Sequence, residues 1–111
     1  MGTGVFFEFK SKEQCDRFKE VSKLEGAITT NPGGSAILPI QPYIMQKVTA
    51  HPKWPTFNTA RGRAIQYGPE TCPKTIDILS RFAGPLMDPK FTREDLEEII
   101  AATRKAYTAV S

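Results

Sequence analysis

Prolines interrupt the middle of this chain and limit the regular structure that can form there. Pro52 and Pro55 bracket Lys53 and Trp54, and the residue before a proline is sterically pushed away from the helical conformation. The sequence from Thr49 to Glu70 therefore predicts an extended segment over the surface, which is long for a compact domain. Such segments are usually functional, or they are covered by another part of an assembly.

The first quarter of the chain is typical of a strand followed by a helix. Val5–Phe9 is apolar and aromatic apart from one glutamate, which predicts a strand at the centre of a sheet. Ser11 begins a capping-box pattern that is completed by Gln14, and Gly26 fits the left-handed residue that follows a helix. Between them, apolar residues recur every three positions and predict one buried stripe, which comprises Cys15, Phe18, Val21 and Leu24.

Two short apolar segments follow, separated by turn-forming residues. Ala27–Thr30 and Ala36–Ile40 predict the two strands of a hairpin, and Pro39 places the second strand at an edge or ends it. The connecting residues 31–35, Asn-Pro-Gly-Gly-Ser, could also cradle a phosphate through backbone N–H groups. They lack the spacing of a phosphate-binding loop, so a hairpin connection is favoured. Residues 42–48 predict a short helix.

The last third of the chain predicts two helices with a short strand between them. Pro73 suits the first helical position, and Gly84 with Pro85 indicates the end of that helix. Residues 86–87, Leu-Met, predict a short edge strand. Thr92 caps the closing helix, whose apolar residues trace one face at helical spacing: Leu96, Ile99, Ile100, Thr103, Tyr107 and Val110.

This order of elements predicts an α+β fold of two layers, in which a small antiparallel sheet carries helices on one face. With 111 residues, the chain has the length of a single small domain, spanning residues 1–111. Area scaling predicts that about two-thirds of the surface of the extended chain becomes buried, which is enough for one hydrophobic core.

Few residues in this chain carry reactive chemistry. The chain has two cysteines, Cys15 and Cys72, and one histidine, His51. A zinc site with four protein ligands would need nearly all of them to converge, and no nucleophile lies near the histidine in sequence. Cys72 precedes a helix start, where thiols can become reactive, although a plain capping role is favoured. We therefore expect neither catalytic residues nor a metal site.

The overall charge and the hydropathy pattern exclude some classes of protein. There are 15 Lys and Arg residues against 12 Asp and Glu residues, and the net charge of +3 does not demand a nucleic-acid partner. No apolar run approaches the roughly 20 residues that a membrane span needs, and the first residues do not resemble a signal peptide. We expect a soluble, cytoplasmic protein that does not contact a membrane.

Cations and aromatic residues alternate in the middle of the chain, as they do where proteins contact single-stranded nucleic acid. Because the spacing is irregular and matches no nucleic-acid-binding module, nucleic acid is disfavoured as the ligand. Packing beneath a loop is the favoured role for Trp54 and Phe57. The candidate residues for binding an anionic ligand are Tyr43, Lys53, Trp54, Arg61 and Arg63.

The end of the chain carries a resemblance to a known family. Residues 72–81 read CPKTIDILSR, and residues 88–105 read DPKFTREDLEEIIAATRK. These phrases resemble the closing part of the DegT/DnrJ/StrS family of pyridoxal-phosphate-dependent sugar aminotransferases, including the Thr-x-Glu-Asp start of the last helix. Residues 34–55 and 5–26 resemble, less specifically, earlier parts of the C-terminal small domain of that family.

The resemblance implies a small domain without the half of the enzyme that binds the cofactor. In the family, a large domain supplies the lysine that forms the Schiff base, within a Ser-x-His-x-x-Lys motif. Here Thr49 stands where the serine would precede His51, and Trp54 stands where the lysine would follow. The resemblance therefore implies that no cofactor is bound, unless a separate large domain supplies the pyridoxal phosphate site.

Three functions follow from these observations. The first is a non-catalytic, stand-alone, aminotransferase-like small domain that acts as a binding or interaction protein. Its apolar face would be covered in a homodimer or by a separately encoded large domain. The second is a small module that binds an anionic ligand, either a sugar nucleotide or single-stranded nucleic acid, through the basic and aromatic middle segment. The third is a part of a pyridoxal-phosphate-dependent sugar aminotransferase.

Overall fold

The computed structural model of the chain describes residues 4–33 and 36–111. In chain order, its elements are β1 (Phe7–Glu8), α1 (Lys12–Leu24), β2 (Thr29–Thr30), α2 (Pro42–Met45), α3 (Pro55–Asn58), α4 (Ala60–Ala64), α5 (Pro73–Ser80), β3 (Phe82–Pro85) and α6 (Arg93–Val110). Short 3₁₀ turns lie at Leu38–Ile40 and Pro69–Thr71. The chain divides into two compact units, of which the second is Gly33–Asp77 and the first contains the remainder.

The first unit has the predicted α+β architecture. Its three-stranded antiparallel sheet has the order β1-β3-β2, with Phe7 opposite Ala83 and Thr30 opposite Gly84. Helices α1 and α6 pack against each other and against β3. The alternate residues Phe7 and Phe9 of the first strand segment both contact the rings of Phe18 in α1 and Tyr107 in α6. The helices therefore cover one face of the sheet, as the sequence predicts.

The central strand is β3, so the prediction that residues 5–9 form the central strand is wrong. The predicted end of the helix at Gly84 and Pro85 is also wrong, because α5 ends at Ser80 and β3 runs through Pro85. The predicted strand at residues 86–87 is reduced to an isolated bridge between Leu86 and Gly4. A Cβ at position 84 would collide with the Val5 carbonyl oxygen. Here glycine permits a close approach of two strands, although a Gly-Pro pair usually breaks a helix.

The predicted hairpin between Ala27–Thr30 and Ala36–Ile40 is wrong in its second strand. Residues 38–40 form a 3₁₀ turn, and β2 pairs with the distant β3 instead. Pro39 has no N–H group to donate to a strand partner. The phosphate-cradle alternative involves Gly34 and Ser35, which lie outside the described residues. The short helix predicted over 42–48 is present as α2.

The extended segment predicted from Thr49 to Glu70 is also wrong, because α3, α4 and a 3₁₀ turn occupy much of it. Pro55 stands at the first position of α3, where its fixed φ and missing N–H group are compatible with a helix. The side chain of Thr59 caps α4 by accepting a hydrogen bond from the Gly62 N–H at 3.0 Å. A Cβ at Gly62 would collide with the Thr56 carbonyl oxygen, so glycine lets the two short helices approach each other.

The core of the first unit lies between the sheet, α1 and α6. Its buried residues are Phe9, Cys15, Phe18, Ala83 and Ala106, and the rings of Phe9 and Phe18 lie 4.9 Å apart. Burial raises the pKa of the Cys15 thiol. The buried stripe predicted for α1 is correct except for Leu24, which is 86% exposed at the last turn.

Local signals at both ends of α1 are confirmed in part. The Ser11 side chain accepts a hydrogen bond from the Gln14 N–H at 3.2 Å, and Gly26 adopts φ +86° just after the helix. The return bond of the predicted capping box differs, because the Gln14 side chain accepts from the Lys10 N–H at 2.9 Å instead of from Ser11. Among the described residues, no helix is both long and apolar enough to cross a membrane.

Candidate functional site

Several large apolar residues of helix α6 are exposed, whereas the buried residues of this helix are small. Its buried residues are the alanines Ala102 and Ala106, and Ala106 packs in the core with Cys15 and Phe18. The sequence predicts one apolar face on α6 but not which of its residues reach the core, and the buried positions are these alanines beside that face. Small side chains let two helices approach closely, and the larger residues beside them are left at the flank of the contact. Ile100 is 55% exposed and Tyr107 is 45% exposed.

These larger residues form one wall of an apolar groove in the first unit. The opposite wall consists of residues from β1, from the end of β3 and from the segment just after it. The groove has a volume of about 470 Å³. It is lined by Val5, Phe7, Pro85, Met87, Leu96, Ile99, Ile100, Thr103, Arg104, Tyr107 and Thr108.

Aromatic residues of the groove also pack against the core. The Phe7 and Tyr107 rings lie 5.6 Å apart, and the Phe7 ring also meets Phe18 of α1 edge-on at 6.0 Å. Tyr107 is thereby fixed at one side while much of its surface stays exposed. Arg104 is the one charged residue among those that line the groove. The site is therefore suited to burying apolar side chains rather than to binding a charged small molecule.

Contacts at both ends of α6 position this wall. At the N-terminus, Thr92 and Asp95 form a capping box, with the Thr92 N–H donating to the Asp95 carboxylate at 2.7 Å. The two Thr92 hydrogen bonds hold the pKa of Asp95 below its ordinary value. Near the C-terminus, the Gln14 side chain donates to the Val110 carbonyl at 2.6 Å, and Lys105 forms an ion pair with Glu25 at 2.9 Å.

The candidate ligand-binding residues predicted from the sequence all lie in the second unit. Trp54 is 59% exposed and lines a shallow pocket together with Phe57. Phe57 packs edge-on against Tyr67 with the ring centres 6.1 Å apart, in agreement with the packing role favoured for it. Trp54 does not have the buried role that was favoured for it.

Hydrogen bonds link one of the candidate cations to the turn at Trp54. The Asn58 side-chain amide donates to the carbonyls of Pro52 and Trp54, each at 2.7 Å. The Arg63 guanidinium donates in turn to the Asn58 carbonyl, and the Lys47 ammonium donates to the Arg63 carbonyl at 2.6 Å.

The remaining candidates, Tyr43, Lys53 and Arg61, are exposed. In the described part of the chain, no ion pair or side-chain hydrogen bond joins them to Trp54 or Arg63. The His51 Nδ1 accepts a hydrogen bond from the Lys53 N–H at 3.1 Å and thereby stabilises the turn. Binding of an anionic ligand by these five residues stays a prediction.

Residues 4–33 and 36–111 contain no group of three or more His, Cys, Asp or Glu side chains arranged to hold a metal ion.

Sequence reasoning missed the groove, although a signal for it is present. Leu96, Ile100, Thr103 and Tyr107 are spaced by four, three and four residues, while Ala102 and Ala106 form a second, small-residue stripe. Two apolar stripes on one helix indicate two packing surfaces. Hydrophobic periodicity alone does not show which stripe faces the core.

Comparison with known proteins adds no assignment to this geometry: no protein-family model, no curated protein and no solved structure matches the chain. The relationship to the small domain of the DegT/DnrJ/StrS aminotransferases stays a prediction based on the two closing phrases.

Proposed function

We propose that this protein is a non-catalytic interaction module that associates with a second copy of itself through the groove between α6 and the sheet. The observation that carries the proposal is the exposed apolar stripe of α6, in which Ile100 and Tyr107 border a groove with a single charged lining residue. Exposed apolar patches rimmed by polar residues are typical of protein interaction surfaces.

The apolar groove supplies the driving force for association. Val5 and Ile100 are both more than half exposed and lie on opposite walls of the groove. Removing apolar surface from water stabilises a complex by roughly 25 cal/mol for each Å². A partner that fills the groove with apolar side chains would therefore gain from both walls at once.

The charge distribution of α6 favours a second copy as the partner. The first turns of the helix carry four acidic residues, Glu94, Asp95, Glu97 and Glu98, beside one basic residue, Arg93, whereas Arg104 and Lys105 lie in the second half. A helix that is acidic at one end and basic at the other is complementary to itself when two copies lie antiparallel. A two-fold symmetric contact of one patch with itself is also the commonest form of a homodimer.

The proposal agrees with the family resemblance without depending on it. A small domain separated from its large domain would expose the surface that normally packs against it, and self-association would cover that surface. In this proposal the chain has no catalytic residues of its own and binds no cofactor. Pyridoxal phosphate chemistry would require the lysine that the large domain supplies in that family.

The test compares two isoleucine-to-glutamate variants by size-exclusion chromatography with light scattering. Ile100→Glu places a carboxylate in the groove, and we expect the dissociation constant of the dimer to rise at least tenfold, about 1.4 kcal/mol. Ile28→Glu is the matched control, because Ile28 is also exposed but does not line the groove. We expect this control to dimerise like the wild type.

Two results would overturn the proposal. One is a wild-type chain that stays monomeric at high concentration, including the case in which it gains mass only with a separate large domain. The other is an Ile100→Glu variant that dimerises as tightly as Ile28→Glu. Because both positions are exposed, circular dichroism should show unchanged helix content in both variants.

A further inference from the structure

We infer that the two copies pair through α6 as an antiparallel helix seam, held in register by two reciprocal ion pairs between Glu97 of one copy and Arg104 of the other. This inference rests on the proposed function, because it specifies the geometry of the same dimer. The exposed residues of α6, their spacing and the charges beside them carry it.

The spacing of the exposed stripe is that of a coiled-coil seam. Leu96, Ile100, Thr103 and Tyr107 follow one another at intervals of four, three and four residues. These are the intervals between the core positions, a and d, of a heptad repeat. Each of the four residues lines the groove. At 1.5 Å for each residue, the stripe runs for about 16 Å along the helix, slightly more than three turns.

The two flanks of this seam have different environments. In the heptad that places Leu96 at d and Ile100 at a, Glu97 and Arg104 both fall at position e. Both are exposed residues. The opposite flank, position g, contains Ile99, which is half-buried, and Ala106, which is fully buried in the core. The e flank is therefore the one that a partner helix can reach.

This asymmetry decides the orientation of the two helices. In an antiparallel pair, the e flank of one helix lies beside the e flank of the other, so Glu97 of each copy meets Arg104 of the other. In a parallel pair, each e flank would face the g flank, where Ile99 and Ala106 offer no charge to Glu97 or Arg104. The antiparallel arrangement is therefore the one that pairs the opposite charges.

The groups around the two charges permit this exchange. Arg104 makes no ion pair within the described part of its own chain, and Glu97 pairs with Arg93 of the same helix at 3.0 Å. That pair is exposed, since the Arg93 side chain is almost fully solvated, and exposed pairs of this kind contribute little to stability. Exchanging this pair for one with Arg104 of a second copy therefore costs little free energy.

The sheet side of the groove completes the interface. A seam of about three turns is short for a stable dimer, which typically buries about 800 Å² on each partner. Val5 and Met87 on the opposite wall lie beside the stripe and would contact the partner helix as it enters the groove. The strand residue Phe7 is already packed against Tyr107, so the wall does not need to rearrange.

The test uses charge reversal in the full chain and measures dimer dissociation constants by sedimentation velocity. Glu97→Arg and Arg104→Glu each place like charges opposite one another twice in the dimer. We expect each single variant to dissociate about tenfold more readily than the wild type. The double variant, which carries both reversals, restores opposite charges and should return to within about threefold of the wild type.

Mixing the two single variants gives a sharper result. In a heterodimer of the Glu97→Arg chain with the Arg104→Glu chain, the antiparallel seam brings an arginine of one copy to a glutamate of the other at both sites, whereas each single-variant homodimer brings like charges together at both. We therefore expect the mixture to form heterodimers at least as tight as the wild-type dimer. Glu98→Arg is the control for the change in net charge, because this position lies one residue along, on the face away from the stripe. It should dimerise like the wild type.

The outcomes separate this inference from the proposed function. A dimer whose stability is unchanged by the single reversals, or is not recovered in the mixture, would overturn the antiparallel seam and leave self-association standing. A wild-type chain that does not dimerise at all would overturn both. A control variant that weakens as much as Glu97→Arg would show a general charge effect and would also overturn the seam.

Discussion

At the scale of single residues, glycine decides how the centre of the sheet is built. Gly84 lies in β3, and a Cβ at this position would collide with the Val5 carbonyl oxygen. The carbonyl belongs to the backbone just before β1, so it cannot move aside as a flexible side chain would. The Gly-Pro pair that suggests a helix end in the sequence is therefore needed for close strand pairing.

We predict that Gly84→Ala lowers the free energy of unfolding by about 1–3 kcal/mol, the usual cost of forcing an extra group into a packed site. Urea unfolding followed by circular dichroism measures this change. Gly68→Ala is the control, because a Cβ there meets only the end of the flexible Glu70 side chain at 3.0 Å. Equal losses in the two variants would contradict the role given to Gly84.

At the scale of elements, α6 depends on the capping box at its N-terminus. Asp95 accepts hydrogen bonds from the Thr92 N–H and the Thr92 hydroxyl, each at 2.7 Å. Both bonds favour the charged carboxylate, which lowers its pKa in the folded state. The stabilisation is therefore complete above the unfolded-state pKa and is lost as the pH falls through the folded-state pKa.

We predict that Asp95→Asn is less stable than the wild type at neutral pH and that the difference shrinks as the pH falls below about 3.9, the usual pKa of an aspartate. Asparagine keeps an acceptor for the cap but has no charge to lose. Thermal unfolding of both proteins across this pH range measures the difference. A gap that stays constant down to the lowest pH would show that the Asp95 charge does not contribute.

The elements that local signals define could be predicted from the sequence, and those that depend on distant contacts could not. Caps and periodicity placed α1 and α6, since Ser11 and Thr92 act within one turn of their own helices. Strand β3 was missed because its partners, β1 and β2, lie far away in the sequence. The residues of α6 that are buried could not be predicted from periodicity, which marks large apolar residues as candidates for the core. Close packing against α1 buries the small residues Ala102 and Ala106 instead.

In the candidate site too, local features could be predicted from the sequence, whereas features that depend on distant contacts could not. The apolar residues of α6 were identified as one face of a helix, but their exposure follows from the packing of the whole unit. The basic and aromatic residues of the middle segment were identified by composition. Their separation follows from the short helices α3 and α4, which the prolines were expected to exclude.

At the scale of the whole molecule, the first unit has a complete core and a second, uncovered apolar surface. The core lies between α1, α6 and the sheet, while the groove lies on the other flank of α6. Helix α6 therefore has two packing surfaces. Its small residues pack within the chain, and its large apolar residues stay exposed to water in the monomer. In the proposed dimer, a second copy covers these large apolar residues.

Sedimentation equilibrium of the wild-type chain over a wide concentration range shows whether this dimer forms. We expect the weight-average mass to rise with concentration from that of the 12.4 kDa monomer towards twice that value and then to level off. A mass that stays at 12.4 kDa at every concentration, or one that rises without levelling off at the dimer, would contradict the proposal.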